Sequence, residues 1–313
     1  MKVFYHIDQL PAFNKAVITI GTFDGVHLGH LQIIERLKKE AARIGGETVV
    51  ITFQPHPRKI VSTQPLQLIN TPSEKITLLE AAGIDNLVVV PFTPAFAEQS
   101  ALGYVQHFLI DHFHPHTIII GYDHQFGNKR TGNYQLLEQF AASHQFALIE
   151  IPAHEIEDSI ISSTKIREAL LLGNCKEAAN YLGYAYFFEG RVVEGNKLGR
   201  TIGYPTANLL VDDEDKLIPG NGVYAVKAQL LQASGAISNT LNGMINIGMR
   251  PTVDGTKRVI EVNLFDFDRD IYGDILKVTL KHYLRTEQKF SGLDALKQQL
   301  AADKLQAQQL LLQ

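Results

Sequence analysis

The sequence has no tryptophan, three methionines and a single cysteine, Cys175, in 313 residues. One cysteine forms no internal disulfide. That excludes a disulfide-stapled scaffold and fits a reducing compartment. It is also too few for a thiolate metal site. No window approaches the ~18 uninterrupted apolar residues that a membrane-spanning helix needs. Residues 1–10 hold Lys2, His6 and Asp8 and lack the apolar core of a signal peptide, so the expected location is cytoplasmic. Charge of one sign is scarce as well: 29 Lys and Arg against 33 Asp and Glu leave a net charge of −4 and a pI near 6.3. Such a chain has no long-range field for nucleic acid, and a local basic patch is the form in which it can hold phosphates.

What is present suffices for ordinary cores: 45% of the residues are hydrophobic and 20% charged. At roughly 150 residues per domain the length predicts two domains. The first half alternates two periodicities. Apolar runs at 17–21, 47–53, 86–91, 117–121 and 147–152 read as strands. Stretches with helical spacing at 29–44, 73–82, 101–113 and 133–144 lie between them, with Ser73 as an N-cap. This alternation predicts a parallel sheet with helices on its faces and ligands at the carboxyl ends of the strands. A further short helix is expected at 175–182. The pattern then changes. Glycines crowd residues 190–222, and strands are expected at 223–231, 241–247, 260–267 and 275–284 without helices between them. That predicts a small antiparallel barrel. A closing helix is expected at 291–300, capped by Ser291, with a Gln-rich helical tail. The expected fold is thus α/β with a C-terminal β-barrel, divided into domains 1–184 and 185–313.

The segment GTFDGVHLGH (residues 21–30) joins a strand to a helix. Gly21 and Gly25 permit a tight turn with close backbone approach. His27 and His30 are three apart at the helix start, a spacing that turns both imidazoles toward one point. Free N–H groups and the helix dipole favour an anion there, and two histidine donors suit charge building on a phosphate. Two solvated loop histidines, or a zinc pair lacking a third ligand, are the competing readings. The segment resembles the signature of the HxGH nucleotidyltransferases, which implies a Rossmann-like sheet and attack on the α-phosphate of a nucleoside triphosphate. Farther on, ISSTKIR (161–167) offers hydroxyls at Ser162, Ser163 and Thr164, with Lys165 and Arg167 behind them, at a helix start. TFQPHP (52–57) carries His56, and GYDHQFG (121–127) carries Asp123 and Phe126. Asp123 can accept a hydrogen bond and Phe126 can stack on a flat ring, although a turn with a buried aromatic explains either loop as well.

The second half carries GRVVEGNKLGRTIGYPTANL (190–209). Neither GxxxxGK[ST] nor GxGxxG occurs in it, so it is no P-loop or dinucleotide fingerprint. In extended chain Thr206 and Asn208 face one side. A hydroxyl and an amide oxygen are hard ligands suited to Mg²⁺, and a glycine-rich loop ahead of them can cover phosphates. A plain glycine-rich turn is the alternative. Glu261 falls on the polar face of its strand together with Asn263, where a carboxylate can take a proton from a hydroxyl. Arg285 can reach a phosphate or pair with Glu287.

Together these motifs resemble the bacterial bifunctional riboflavin kinase/FAD synthetase family over nearly the whole chain. NIGMRPT (246–252), IEVNLFDFDRDIYG (260–273) and LRTEQKF (284–290) add to the match. HxGH joined in one chain to PTAN and NIGxxPT is highly specific. The resemblance implies that the barrel phosphorylates riboflavin with ATP and that the first domain transfers AMP from ATP to FMN, releasing pyrophosphate. It implies ATP contacts at Gly21, Phe23, Gly25, Ser163, Thr164, Arg167, Gly199 and Thr206, with His27 and His30 polarising the phosphates. Flavin contacts are implied at His56, Asp123, Phe126 and Arg285. Mg²⁺ would sit on Thr206 and Asn208, and Glu261 would be the base for the ribityl 5′-hydroxyl. The expected partners are ATP, riboflavin and FMN, with no nucleic acid and no membrane. Three positions depart from the family pattern: His124, Tyr204 and Asn263.

Overall fold

A computed structural model describes residues 1–122, 124–152, 161–195, 198–231, 238–252 and 255–312. The chain forms two compact units, Met1–Ser163 and Thr164–Gln313.

The first unit is built on six strands: β1 (Lys2–Phe4), β2 (Val17–Ile20), β3 (Thr48–Gln54), β4 (Asn86–Pro91), β5 (Thr117–Gly121) and β6 (Ala147–Ile151). They lie in the order β1-β4-β3-β2-β5-β6, and every pairing is parallel. Both faces are covered, so alternate side chains enter opposite cores. Ile18, Val49, Ile51, Val88 and Ile118 pack on one side, while Val17, Val50, Leu87, Val89 and Ile119 pack on the other. The chain order reverses at β2, which lies between β3 and β5. The ends of these strands form the switch point where such sheets bind ligands.

Helix α1 (Leu28–Ile44) follows β2 and ends at Gly45 in the left-handed conformation. Next come α2 (Pro57–Val61), α3 (Pro72–Ala81) and α4 (Tyr134–His144). Ser73 was the expected cap of α3. Thr71 takes that role, its hydroxyl accepting from Glu74 N while the Glu74 carboxylate accepts from Thr71 N, with Pro72 at the first helical position. The helix expected at 101–113 contains a π-helical stretch, Tyr104–Ile110, between short α-helical ends.

The second unit opens with α5 (Ser163–Leu171) and α6 (Cys175–Leu182). The expected boundary grouped these helices with the first half. Their packing groups all but the first residue with the barrel: Gly220 N, for example, donates to Leu170 O. The barrel strands are β7 (Phe187–Val193), β8 (Ala207–Leu210), β9 (Gly222–Leu231), β10 (Leu241–Thr252), β11 (Gly255–Leu264) and β12 (Ile275–Arg285). They close antiparallel in the order β10-β11-β8-β7-β12-β9.

One long helix, α7 (Leu293–Leu311), packs on the barrel through Ala307 and Leu311 against Ala225, Met244 and Phe265. Closing helix and tail are thus continuous, and Gly292, not Ser291, occupies the cap position. The buried Ala307 and Leu311 hold the Gln-rich tail in helical form.

Candidate functional site

In the first unit the motif GTFDGVHLGH forms the turn from β2 into α1. Gly21 N donates to Ile51 O, anchoring the turn to the neighbouring strand. Three residues then take positive φ: Phe23 (48°), Gly25 (92°) and Val26 (37°). The turn brings His27 to the cap of α1, where its Nδ1 accepts from His30 N at 3.4 Å. The two rings stack with centroids 3.7 Å apart, and the Phe23 ring lies 4.9 Å from His30. The α1 N-terminus is therefore lined by two imidazoles. His30 Nδ1 is buried with no partner among the described residues. Burial first, then His27, then Lys75, hold the His30 pKa well below 6.5, so the ring is neutral at pH 7. Neutral imidazoles donate to phosphate oxygens without the desolvation penalty of a buried cation.

The surrounding elements fix this turn. The Asp24 carboxylate, fully buried, accepts from Ile69 N at 2.9 Å and Asn70 N at 3.4 Å. Ser163 Oγ donates to the Asp24 carbonyl at 3.0 Å, which brings the start of ISSTKIR to the HxGH turn. Thr164 and Arg167 follow on α5 in the second unit. His56 caps α2, its Nδ1 accepting from Arg58 N at 3.1 Å. Phe126 is buried, its ring stacked on Tyr104 at 5.0 Å. In this conformation it is part of the core that contains the π-helical stretch. Asp123 lies outside the described residues.

The second unit assembles a separate group of polar residues. Asn208 and Glu261 are directly paired across β8 and β11, so their side chains share a face. Thr206 is exposed just before β8. Two glycines of the preceding segment come close to Asn208 and Thr206. A Cβ at Gly195 would collide with the Asn208 amide, and one at Gly199 would collide with the Tyr204 carbonyl and come within 3.4 Å of Thr206 Oγ1. Arg250, from NIGMRPT, holds Glu261 Oε2 at 3.2 Å and Glu287 Oε1 at 3.5 Å.

Arg285 does not pair with Glu287. Its guanidinium binds the buried Asp303 carboxylate of α7 through Nε at 2.9 Å and Nη2 at 2.7 Å, and Gln299 donates to the same carboxylate. Asn263 shares its strand face with Glu261, as expected, but is covered there. It is buried, and its Nδ2 donates to Pro205 O at 2.7 Å.

The comparisons with known proteins follow this division. A family model described as FAD synthetase matches residues 10–165, and one described as riboflavin kinase matches residues 182–311. A protein of Haemophilus influenzae named bifunctional riboflavin kinase/FMN adenylyltransferase is 41% identical over 290 residues, covering 91% of each chain. The chain belongs to the bifunctional riboflavin kinase/FMN adenylyltransferase family. A member from Listeria monocytogenes is 37% identical, covering 95% of this chain and 92% of its own. A solved Streptococcus pneumoniae structure has the same fold: TM-score 0.86, 31% identity and 98% coverage of both chains. It is described as a macrolide-efflux protein. In the present chain no helix among the described residues is long and apolar enough to cross a membrane.

The chain thus has a FAD synthetase domain followed by a riboflavin kinase domain, and its substrates are ATP, riboflavin and FMN. Motif reading did not single out Lys75, Arg250 or Asn263 as functional. Arg250 lies inside a quoted motif, and Asn263 departs from the family pattern. Lys75 had only a capped helix start, TPSEK, to point to it.

Proposed function

We propose that adenylyl transfer uses the HxGH turn of the first unit and that riboflavin phosphorylation uses the Thr206–Asn208–Glu261 face of the barrel. The paired placement of Asn208 and Glu261, with Gly195 close against Asn208, carries the second assignment. We assign the synthetase activity to 1–184 and the kinase activity to 185–313, a division of function that differs from the division by packing. The site chemistry supports opposite designs. In the synthetase reaction an FMN phosphate oxygen attacks the α-phosphorus of ATP, the α–β bridging bond breaks, and pyrophosphate leaves. That nucleophile is already ionised near neutral pH, so the site needs donors, not a strong base. His27, His30 and the α1 N-terminus supply them, and Ser163, Thr164 and Arg167 are the residues proposed to hold the phosphates. Gly21, Phe23 and Gly25 shape the turn against the nucleotide. His56, Phe126 and Asp123 are proposed on the flavin side.

In the kinase reaction the nucleophile is an alcohol. Glu261 is placed to take the ribityl 5′-hydroxyl proton as that oxygen attacks the γ-phosphorus and ADP leaves. Gly199 and its loop cover the phosphates. Arg285 acts on the flavin side through its fixed position. Thr206 and Asn208 suit Mg²⁺: both offer hard neutral oxygens, and glycine is the residue that leaves their side chains room. When bound, that ion would neutralise phosphate charge. A cytoplasmic location fits the unpaired cysteine.

The test is the substitution Glu261→Ala. FMN formation from riboflavin is expected to fall by at least about a hundredfold, within the range for general-base loss. FAD formation from supplied FMN is expected to stay at the wild-type rate. Equal loss of both activities in a folded variant contradicts the division.

A further inference from the structure

The segment from Ile69 to Lys75 grips the HxGH turn at two points. Its backbone donates to the Asp24 carboxylate through Ile69 N and Asn70 N. Its last residue, Lys75, places its ammonium 2.8 Å from the carbonyl of Thr22, which also accepts from Thr52 Oγ1 at 3.1 Å. Lys75 sits one residue beyond the Thr71–Glu74 capping box, so its backbone is held at the rigid first turn of α3. We propose that Lys75 is a positioning residue for adenylyl transfer: seated on the Thr22 carbonyl, it holds the histidine turn on its strained path and keeps a positive charge beside the His27–His30 pair.

The backbone explains why such a grip is needed. Phe23 and Val26 are non-glycine residues at positive φ, each costing about 1–3 kcal/mol unless its surroundings over-determine it. Val26 is the more demanding because it is β-branched. The local bond from Val26 N to Phe23 O is 3.2 Å and weak on its own. A charged donor on the Thr22 carbonyl, one residue ahead of the strained pair, is a stronger restraint than a neutral hydroxyl.

Lys75 also acts on His30 through space. The groups facing His30 are His27 on its own turn and Lys75 from α3, with the Asp24 carboxylate facing Lys75 in turn. A neighbouring ammonium disfavours an imidazolium, so removing it makes His30 easier to protonate.

This inference rests on the FAD synthetase reading of the first unit, and the experiment separates the two. Lys75→Met keeps the length of the side chain and removes its charge, and Lys75→Arg, which keeps the charge, controls for any loss of stability from leaving the buried Asp24 carboxylate without that neighbour. FAD formation from FMN, FMN formation from riboflavin and the NMR titration of the His30 ring in the substrate-free chain are then measured. The kcat for FAD formation is expected to fall between about tenfold and a hundredfold, the scale of a ~1 Å misplacement. FMN formation stays unchanged, and the His30 titration moves to higher pH. Lys75→Arg restores the titration and most of the kcat. An unchanged kcat overturns the proposal. So does loss of both activities without rescue by arginine, which marks Lys75 as a residue that only holds the fold. If the wild-type chain forms no FAD, the synthetase reading fails, while the His30 titration still decides whether Lys75 is coupled to it.

Discussion

At His30 packing, not sequence, sets the protonation state. Burial, His27 and Lys75 hold its pKa well below 6.5, whereas in the unfolded chain the ring titrates near that value. Between the two values the unfolded state binds the extra proton. The stability from a neutral His30 is therefore complete above pH 6.5 and is lost as pH falls through that window. Acidification from about pH 7 to about pH 5 is expected to lower the melting temperature of the wild-type chain more than that of His30→Gln, read by calorimetry in matched buffers. Parallel curves contradict the assignment. The motif and its spacing were visible in the sequence; its electrostatic setting was not. The Lys75–Thr22 bond spans 53 residues, and no local pattern encodes it.

At the level of elements, strands were the most legible feature. Buried parallel strands such as 86–91 and 117–121 are near-continuous apolar runs, and their ends coincide with turn residues. Alternation held at β11, where the unbroken register keeps Glu261 and Asn263 on one face, but it does not tell that this face is covered at Asn263, whose buried side chain donates to the Pro205 carbonyl. The cap of α3 was read two residues late. Ser73 is a competent cap, but Thr71 followed by Pro72 and Glu74 completes both bonds of a capping box. The π-helical stretch at 104–110 has no sequence signal that distinguishes it from an α-helix. The seat of α7 was equally hidden, because it depends on Arg285 reaching Asp303 across 18 residues. Asp303 is only 1% exposed, so its removal leaves a half-buried guanidinium uncompensated. Asp303→Ala is expected to destabilise the second unit by about 3–5 kcal/mol in urea unfolding, the usual range for breaking a buried pair. A change under about 1 kcal/mol, typical of an exposed pair, contradicts the clamp.

At the scale of the whole molecule, two folds with unlike designs occupy one chain. A doubly covered parallel sheet opens its strand ends into a turn lined with imidazoles. A closed barrel pairs an amide and a carboxylate across two strands, with a glycine close against the amide. The product of the barrel reaction, FMN, is the acceptor in the other. Both folds were legible because the periodicity changes once along the chain. The helices at 163–182 were harder to assign: the motif at their start is proposed for one activity, while all but the first residue pack with the other unit.

The most direct test is a chromatographic time course with the purified chain, riboflavin, ATP and Mg²⁺. FMN is expected to appear first, in step with ADP, and FAD to follow in step with pyrophosphate. A folded chain that forms neither flavin product, or forms FMN and never adenylylates it even under reducing conditions, contradicts the account.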